Sequence, residues 1–274
     1  MAFPIAEQQR LLRRYGPWGA VTGASSGIGK ELAERLAQSG LHLVLNARDA
    51  GTLDAWAAEL RSRYGIQTRT AAADLSEPAG VQALTAACEG LDIGLLVACA
   101  GFGTSGLFLD AQVETEANML RVNCEAVLRL SHHFGQRFAA QRRGGIVLMS
   151  SIVAFQGVPY AAHYAATKAY VQSLAEALAI ELRPHGVDVL AAAPGPVRSG
   201  FEARADMKMD LFMTPEQVGV PVLRALGRRS STLPGGLSKL LVGSLRTVPR
   251  WAKTRILMGI MGGMTKHQRG TGRK

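Results

Sequence analysis

Apolar and polar positions alternate between two patterns along most of the chain. Short, nearly continuous apolar runs at Trp18–Thr22, Leu41–Leu45, Gly94–Ala100, Gly145–Ser150 and Val187–Ala193 read as buried parallel strands, and a further strand is placed near Ile66–Ala73. Between them, apolar residues recur at helical spacing. Lys30–Ser39 places Leu32, Ala33, Leu36 and Ala37 on one face and stops at Gly40. Helices are also predicted over Gly51–Tyr64, Pro78–Glu89 and Asp110–Gln141, and from before Tyr164 to near Arg183, where Pro184 and Gly186 end the pattern. Strand and helix in turn imply one α/β domain, a doubly wound parallel sheet with right-handed crossovers and helices on both faces.

Past Gly195 the pattern changes. Phe201–Phe212 is irregular and suits a lid over a cleft. Thr214-Pro-Glu-Gln217 has an N-cap, a proline in the first position and a capping-box partner, so a helix should run from there towards Gly227. Residues 228–274 are rich in glycine and arginine, with apolar stretches at Leu237–Leu245 and Arg255–Met264. The division expected is a polar lead at 1–16, a main domain at 17–228 and a basic, partly helical extension at 229–274. The lead carries Arg10, Arg13 and Arg14, while Leu11, Leu12 and Tyr15 are its candidates for packing on the domain.

Composition adds two restrictions. With 274 residues and 47% hydrophobic content one core is a sufficient account, and no uninterrupted apolar run is long enough to span a bilayer. The N-terminus lacks the apolar segment and cleavage site of a secretory signal. Cys88, Cys99 and Cys124 show neither CxxC nor metal-ligand spacing, so buried thiols in a reducing, cytoplasmic compartment are expected and no metal site. The net charge of +10 is local: residues 217–274 hold 12 basic and no acidic side chains, which leaves 19 basic and 21 acidic ones for residues 1–216.

That tail combines Leu240, Leu241, Leu245, Trp251, Ile256, Leu257, Ile260 and Met261 with Lys239, Arg246, Arg250, Lys253 and Arg255. Two readings stay open. Its helices dock beside the cleft, or they lie peripherally on an anionic inner membrane surface. No recognition motif supports nucleic acid as a partner.

The candidate chemistry begins at the strand-to-helix turn holding Gly23, Gly27 and Gly29. Glycines there let backbone N–H groups face a pyrophosphate at the positive end of a helix, with Ser25 and Ser26 as added donors. The second strand ends in Leu45-Asn46-Ala47-Arg48, with no carboxylate before the arginine. An acid there would bind the ribose 2′-OH of NAD, whereas a guanidinium suits the 2′-phosphate of NADP. Farther along, Tyr164 and Lys168 are four residues apart, about 6 Å along one helical face. An ammonium beside a phenol favours its ionised form, and a phenol so tuned can exchange a proton with a carbonyl or alcohol oxygen.

In order and spacing, Thr22-Gly-Ala-Ser-Ser-Gly-Ile-Gly29, Asp74-Leu75, Asn123, Ser151, Tyr164-x-x-x-Lys168 and Pro194-Gly195 closely resemble the short-chain dehydrogenase/reductase family, from about residue 17 to 200. The resemblance implies a Rossmann-like fold with Tyr164 as acid/base. Lys168 would lower its pKa and hold the nicotinamide ribose, and Ser151 would position the substrate carbonyl. Asn123 would kink its helix and anchor a water behind the lysine. For the cofactor it implies Gly23, Ser25, Ser26, Gly27, Ile28 and Gly29 at the pyrophosphate and Arg48 on the 2′-phosphate. Asp74 and Leu75 would lie beside the adenine, although Asp74 also reads as a plain helix N-cap. Pro194, Gly195, Val197 and Ser199 would sit at the nicotinamide. One departure stands out. The family's Asn-Asn-Ala-Gly appears as Ala98-Cys99-Ala100-Gly101, so two amides that brace the sheet are lost, while Ala100 and Gly101 still suit backbone packing on adenosine.

The expected function is NADP(H)-dependent interconversion of a carbonyl and an alcohol, NAD(H) being the lesser cofactor candidate. The substrate should be small and apolar, the latter because Phe102, Phe108, Phe155, Phe201, Met207, Met209 and Phe212 fall near the cleft. The rival readings are a nicotinamide-binding redox sensor and a membrane-associated scaffold. A homodimer or homotetramer is expected through the long helix and the Tyr164 helix, whose alanine-rich face (Ala161, Ala162, Ala165, Ala166, Ala169) reads equally as cover for the sheet.

Overall fold

The computed structural model describes residues 3–208, 212–244 and 247–269. Its centre is a seven-stranded parallel sheet in the order β3-β2-β1-β4-β5-β6-β7. The strands are β1 (Trp18–Thr22), β2 (His42–Ala47), β3 (Thr68–Ala72), β4 (Ile93–Ala98), β5 (Gly144–Met149), β6 (Val187–Ala192) and β7 (Ser231–Thr232). Around it lie α1 (Ile5–Tyr15), α2 (Gly27–Gln38), α3 (Ala50–Tyr64), α4 (Pro78–Ala87), α5 (Val113–Leu120), α6 (Ala126–Gln141) and α7 (Ala162–Glu181). After β6 come α8 (Phe201–Arg204), α9 (Pro215–Ala225), α10 (Gly236–Ser244) and α11 (Arg250–Met264).

Away from the edge strand β3, where only Ala71 is buried, the apolar runs are continuous because both faces of the sheet are covered. Val21, Leu43, Leu95, Val147 and Leu190 pack with α1, α2, α3 and α9 on one face. Ala20, Val44, Leu96, Ile146 and Val189 pack with α4, α6 and α7 on the other. Strand order reverses between β1 and β4, and a crevice opens beyond their carboxyl ends at that switch point.

Four features differ from the sequence pattern. Helix α2 starts inside the glycine turn, at Gly27. The helix expected over 110–141 is preceded by a 3₁₀ turn, Phe108–Asp110, and is interrupted by a single π turn, Arg121–Glu125, between α5 and α6. One added residue per turn leaves the apolar periodicity on either side intact, so the pattern does not show it, and only the resemblance at Asn123 pointed to a kink there. The lead is a helix in its own right. Tyr15 Oη donates to Asp188 Oδ2 at 2.7 Å, Arg14 holds the same carboxylate through Nε and Nη2, and Arg10 donates to the carbonyls of Leu223 and Leu226 at the end of α9. Leu11 and Tyr15 are buried as expected, but Leu12 is exposed. The two-residue β7, absent from the sequence pattern, extends the sheet past β6. At α9 the capping box forms, with Gln217 Oε1 accepting from Thr214 N at 2.9 Å.

Candidate active site

The carboxyl ends of β1, β2, β4, β5 and β6 open on one cavity of about 740 Å³. On its cofactor side, Gly23 (φ +64°) and Gly27 (φ +54°) adopt the left-handed backbone that favours glycine. A Cβ on Gly27 would lie 2.7 Å from Ser199 Cβ, and one on Gly29 would run into the Gly23 carbonyl. The turn is thus wedged against the 194–199 segment, and Gly23, Ser25, Ser26, Ile28 and Gly29 line the cavity at the start of α2. Ser26, in the N-cap position, makes no side-chain capping bond. Donors therefore remain open towards the cavity, the arrangement a pyrophosphate needs.

Arg48 follows β2, is exposed on the cavity wall, and forms no ion pair among the described residues. The neighbouring acid does not compete for it: Asp49 accepts from Thr52 N at 2.6 Å as the cap of α3, a hydrogen bond that holds its carboxyl below the usual range. Asp74 and Leu75 also line the cavity. The N-cap alternative for Asp74 fails, since α4 begins after Glu77 and Asp74 Oδ1 instead accepts from Ser76 N at 2.9 Å in a local turn.

Around the segment that lacks the asparagines, two polar side chains hold the backbone. Thr22 Oγ1 accepts from Cys99 N at 3.0 Å and Ala100 N at 2.9 Å, fixing the loop after β4. Asn46 Nδ2 donates to the carbonyls of Ala71 (2.8 Å) and Ala73 (3.2 Å), tying β2 to β3. Burial pushes the Cys99 thiol up to about 12, so it is an inert wall residue. Ala100 and Gly101 line the cavity beside it.

On the catalytic side, α7 carries Tyr164 and Lys168, 8% and 6% exposed. Lys168 Nζ donates to Met149 O at 2.9 Å and lies 5.8 Å from the centre of the Tyr164 ring. Ser150 Oγ donates to Lys168 O at 3.1 Å, so the lysine is clamped to the end of β5 at both of its ends. Ser151 caps a short 3₁₀ turn, Ile152–Phe155, with its hydroxyl within 3.5 Å of Pro194 O. Burial, opposed by a hydrogen bond with Ser151, raises Tyr164 to about 12; burial lowers Lys168 to about 8. The expectation that the ammonium makes the phenol more acidic is therefore outweighed here by desolvation.

Asn123 sits in the π turn, buried behind the lysine. Its Oδ1 accepts from Phe102 N at 3.1 Å, and its Nδ2 donates to Phe102 O (2.9 Å) and Thr167 Oγ1 (3.0 Å). The side-chain amide is thus committed to holding the loop after β4 against α7. His163 points away from the cleft, its Nε2 3.0 Å from Glu116 O. Pro194, Gly195, Val197 and Ser199 line the cavity, and Gly195 N donates to Ser238 Oγ at 3.0 Å.

The cleft wall is apolar, with a different membership from that expected. Phe102, Phe201 and Met207 line it, and the Phe201 ring lies 5.2 Å from that of Tyr164. Phe108 and Phe155 are exposed outside it, and Phe212 packs against Arg198. Met209 lies outside the described residues. Met149, Ile152, Val153 and Val158 also line the cleft, and the tail adds Val242 of α10 and Leu257, Ile260, Met261 and Met264 of α11. Lys208 N donates to Met264 O (3.0 Å), His267 Nε2 meets Asp206 Oδ1 (2.9 Å), and Gln268 Nε2 donates to Ser105 Oγ (2.9 Å). Leu240 and Trp251 stay exposed, while Leu245, Arg246, Arg273 and Lys274 lie outside the described residues. Among the described residues no cluster could hold a metal ion, and no helix is long and apolar enough to cross a membrane.

Comparison with known proteins agrees with this geometry. The profile described as short chain dehydrogenase matches residues 18–210. A 7beta-hydroxysteroid dehydrogenase of Collinsella aerofaciens is 33% identical over 238 residues, covering 84% of this chain and 90% of that protein. Among solved structures, one concerned with 7beta-hydroxysteroid dehydrogenase stereoselectivity superimposes with a TM-score of 0.84 at 29% identity over 90% of this chain and 98% of the other. A short-chain dehydrogenase from Sphingobium yanoikuyae in complex with NADPH gives 0.76 at 31% identity, over 94% and 99%. The chain belongs to the short-chain dehydrogenase/reductase family and is an oxidoreductase of that family.

Proposed function

We propose that the protein is an NADP(H)-dependent oxidoreductase that interconverts a carbonyl and an alcohol on a bulky apolar substrate. The observation that carries this reading is that Ser151, Tyr164 and Lys168 line the same cavity as the glycine turn and Arg48. The glycine cradle, which a Cβ would fill, and the unpaired guanidinium fit a dinucleotide with a 2′-phosphate. The Sphingobium relative, an NADPH complex, supports the same choice. When bound, the nicotinamide supplies or accepts the hydride.

The chain's own groups handle the oxygen. Tyr164, kept neutral by burial, donates its proton to the carbonyl oxygen in the reductive direction. Ser151 donates a hydrogen bond to the charge developing there. Lys168, held by Met149 O, presents its ammonium to the ribose and beneath the phenol, stabilising the phenolate once the proton has left. An intact set of these three favours turnover over a redox sensor. The apolar wall and the hydroxysteroid relative support a rigid apolar ketone.

Residues 17–228 would form the catalytic domain and 229–274 an extension that roofs its cleft. Those contacts favour docking over a membrane scaffold. We place the protein in the cytoplasm as a homo-oligomer. The decisive experiment follows nicotinamide oxidation with a panel of bulky ketones, using NADPH and NADH with wild type and Arg48→Ala. NADPH is expected to be preferred, and the variant to lose about 1.5–3 kcal/mol of NADPH affinity with little change for NADH. A wild type that prefers NADH, or equal losses for both, overturns the cofactor assignment. Turnover of no ketone overturns the activity.

A further inference from the structure

One wall of the main cleft is held by a residue of the tail. Residues 194–199 leave the sheet after β6 and line the cavity beside the glycine turn. Their start is tied to the end of β5, where Ile152 N donates to Pro194 O at 3.0 Å. Their far side is tied at Met213: Met213 N donates to Pro196 O and Arg198 N donates to Met213 O, both at 2.9 Å. Between these two ties Gly195 N finds its acceptor in Ser238 Oγ, 43 residues along the chain, at 3.0 Å.

The route of the chain explains how α10 comes to this place. Strand β7 pairs with the end of β6, and Ala193 N donates to Thr232 O at 2.9 Å, so the chain leaves the sheet beside Pro194. Gly235 then turns it at φ +84°, a left-handed backbone that favours glycine, and a Cβ there would run into Met213 Sδ. Helix α10 starts at once, with Ser238, 1% exposed, in its first turn. The Ser238 hydroxyl accepts from Gly195 N and directs its own proton to Met213 Sδ, 3.9 Å away. A Cβ on Gly195 would lie 2.7 Å from that oxygen, so the glycine lets the two meet.

We infer that Ser238 is a positioning residue for hydride transfer: holding Gly195 N and reaching Met213, it fixes the 194–199 segment against the nicotinamide. The inference rests on the cofactor reading proposed above. It extends the cofactor site to α10, which lies beyond residues 18–210 matched by the family profile. Ser238 is buried behind the cavity wall and does not line it. Its influence is on the distance and angle of the transfer, where a displacement of about 1 Å can cost on the order of 10²-fold in rate. Without the hydroxyl, Gly195 N–H loses its acceptor and the segment loosens between its two remaining ties.

The test compares Ser238→Ala with Ser238→Cys, which keeps most of the volume but offers only a weak sulfur acceptor. In cofactor-free protein, hydrogen–deuterium exchange of a peptide spanning Gly195 should quicken by about tenfold in both variants, with exchange inside β6 unchanged. With NADPH, single-turnover reduction of a bulky ketone should slow by at least about tenfold. The affinity for adenosine 2′,5′-bisphosphate, which lacks the nicotinamide, should stay at the wild-type value. Where Ser238→Ala melts below the assay temperature, Ser238→Cys decides. Unaltered exchange, or a wild-type rate of hydride transfer in Ser238→Cys, overturns the positioning role while leaving carbonyl reduction intact. Equal losses of rate and of bisphosphate affinity overturn it too, since Ser238 would then support the pocket as a whole. If the wild type reduces no ketone, the activity fails and the positioning role fails with it.

Discussion

Tyr164 and Lys168 are buried ionisable groups whose environments push them in opposite directions, up to about 12 and down to about 8. Tyr164→Phe removes the proton and almost no contact area. Its kcat should fall by at least ~10²-fold, with NADPH affinity nearly unchanged in a fluorescence titration. Residual activity within tenfold of wild type would take Tyr164 out of the chemistry. For Lys168 the pH dependence of stability is diagnostic. The folded protein releases this proton near pH 8 and the unfolded chain near the ordinary 10.5, so between those values the unfolded chain binds more protons. Stability from this group therefore rises as pH climbs through that window, and the full cost of the buried charge is present below it. In cofactor-free protein, the wild-type unfolding free energy minus that of Lys168→Met should rise by on the order of 3 kcal/mol from neutral pH to above the window. A difference that stays flat with pH would mean that the ammonium is solvated.

Single side chains also decide how whole elements meet. Thr22, the last residue of β1, fixes the loop after β4 by accepting from two consecutive backbone N–H groups. Thr22→Val keeps the volume and orphans both donors, so denaturant unfolding should show a loss of about 2–4 kcal/mol, on the scale of roughly 1–3 kcal/mol per unmet buried donor. A loss below 0.5 kcal/mol would mean that water replaces the hydroxyl. The inner strands were legible in the sequence because both faces of each are covered, which writes burial as an unbroken apolar run, whereas β3 at the edge is mostly exposed. The spacing of Tyr164 and Lys168 was legible because helical geometry is local. What could not be read depends on distant partners. The π turn at Asn123 leaves the periodicity intact, β7 is defined only by its pairing with β6, and the rise in Tyr164 comes from burial by elements far along the chain. Ser238 looked like an ordinary polar residue until α10 set its hydroxyl against Gly195 N.

At the scale of the molecule, two surfaces remain to be covered. Leu120, Leu128, Tyr170 and Ile180 are exposed along α5, α6 and α7, while Ala161 and Ala165 are already used inside the fold. Pairing of these helices across a two-fold axis predicts a dimer or tetramer by light scattering at micromolar concentration, and a monomer there would refute it. The second surface is the roof. Helix α11 places Leu257 and Met261 on the cleft, and exposes Arg250 and Arg255 on a segment, 217–274, that contains no acid at all. A doorway with an excess of positive charge acts on molecules before they touch it. Anionic ketones should be captured faster than neutral ones of the same size, and their kcat/KM should decline steeply as salt is added, because the attracting field fades beyond roughly 10 Å at 0.1 M ionic strength. Neutral ketones should show no such decline, so the reach of this enzyme for its substrate is set partly by the ionic strength around it.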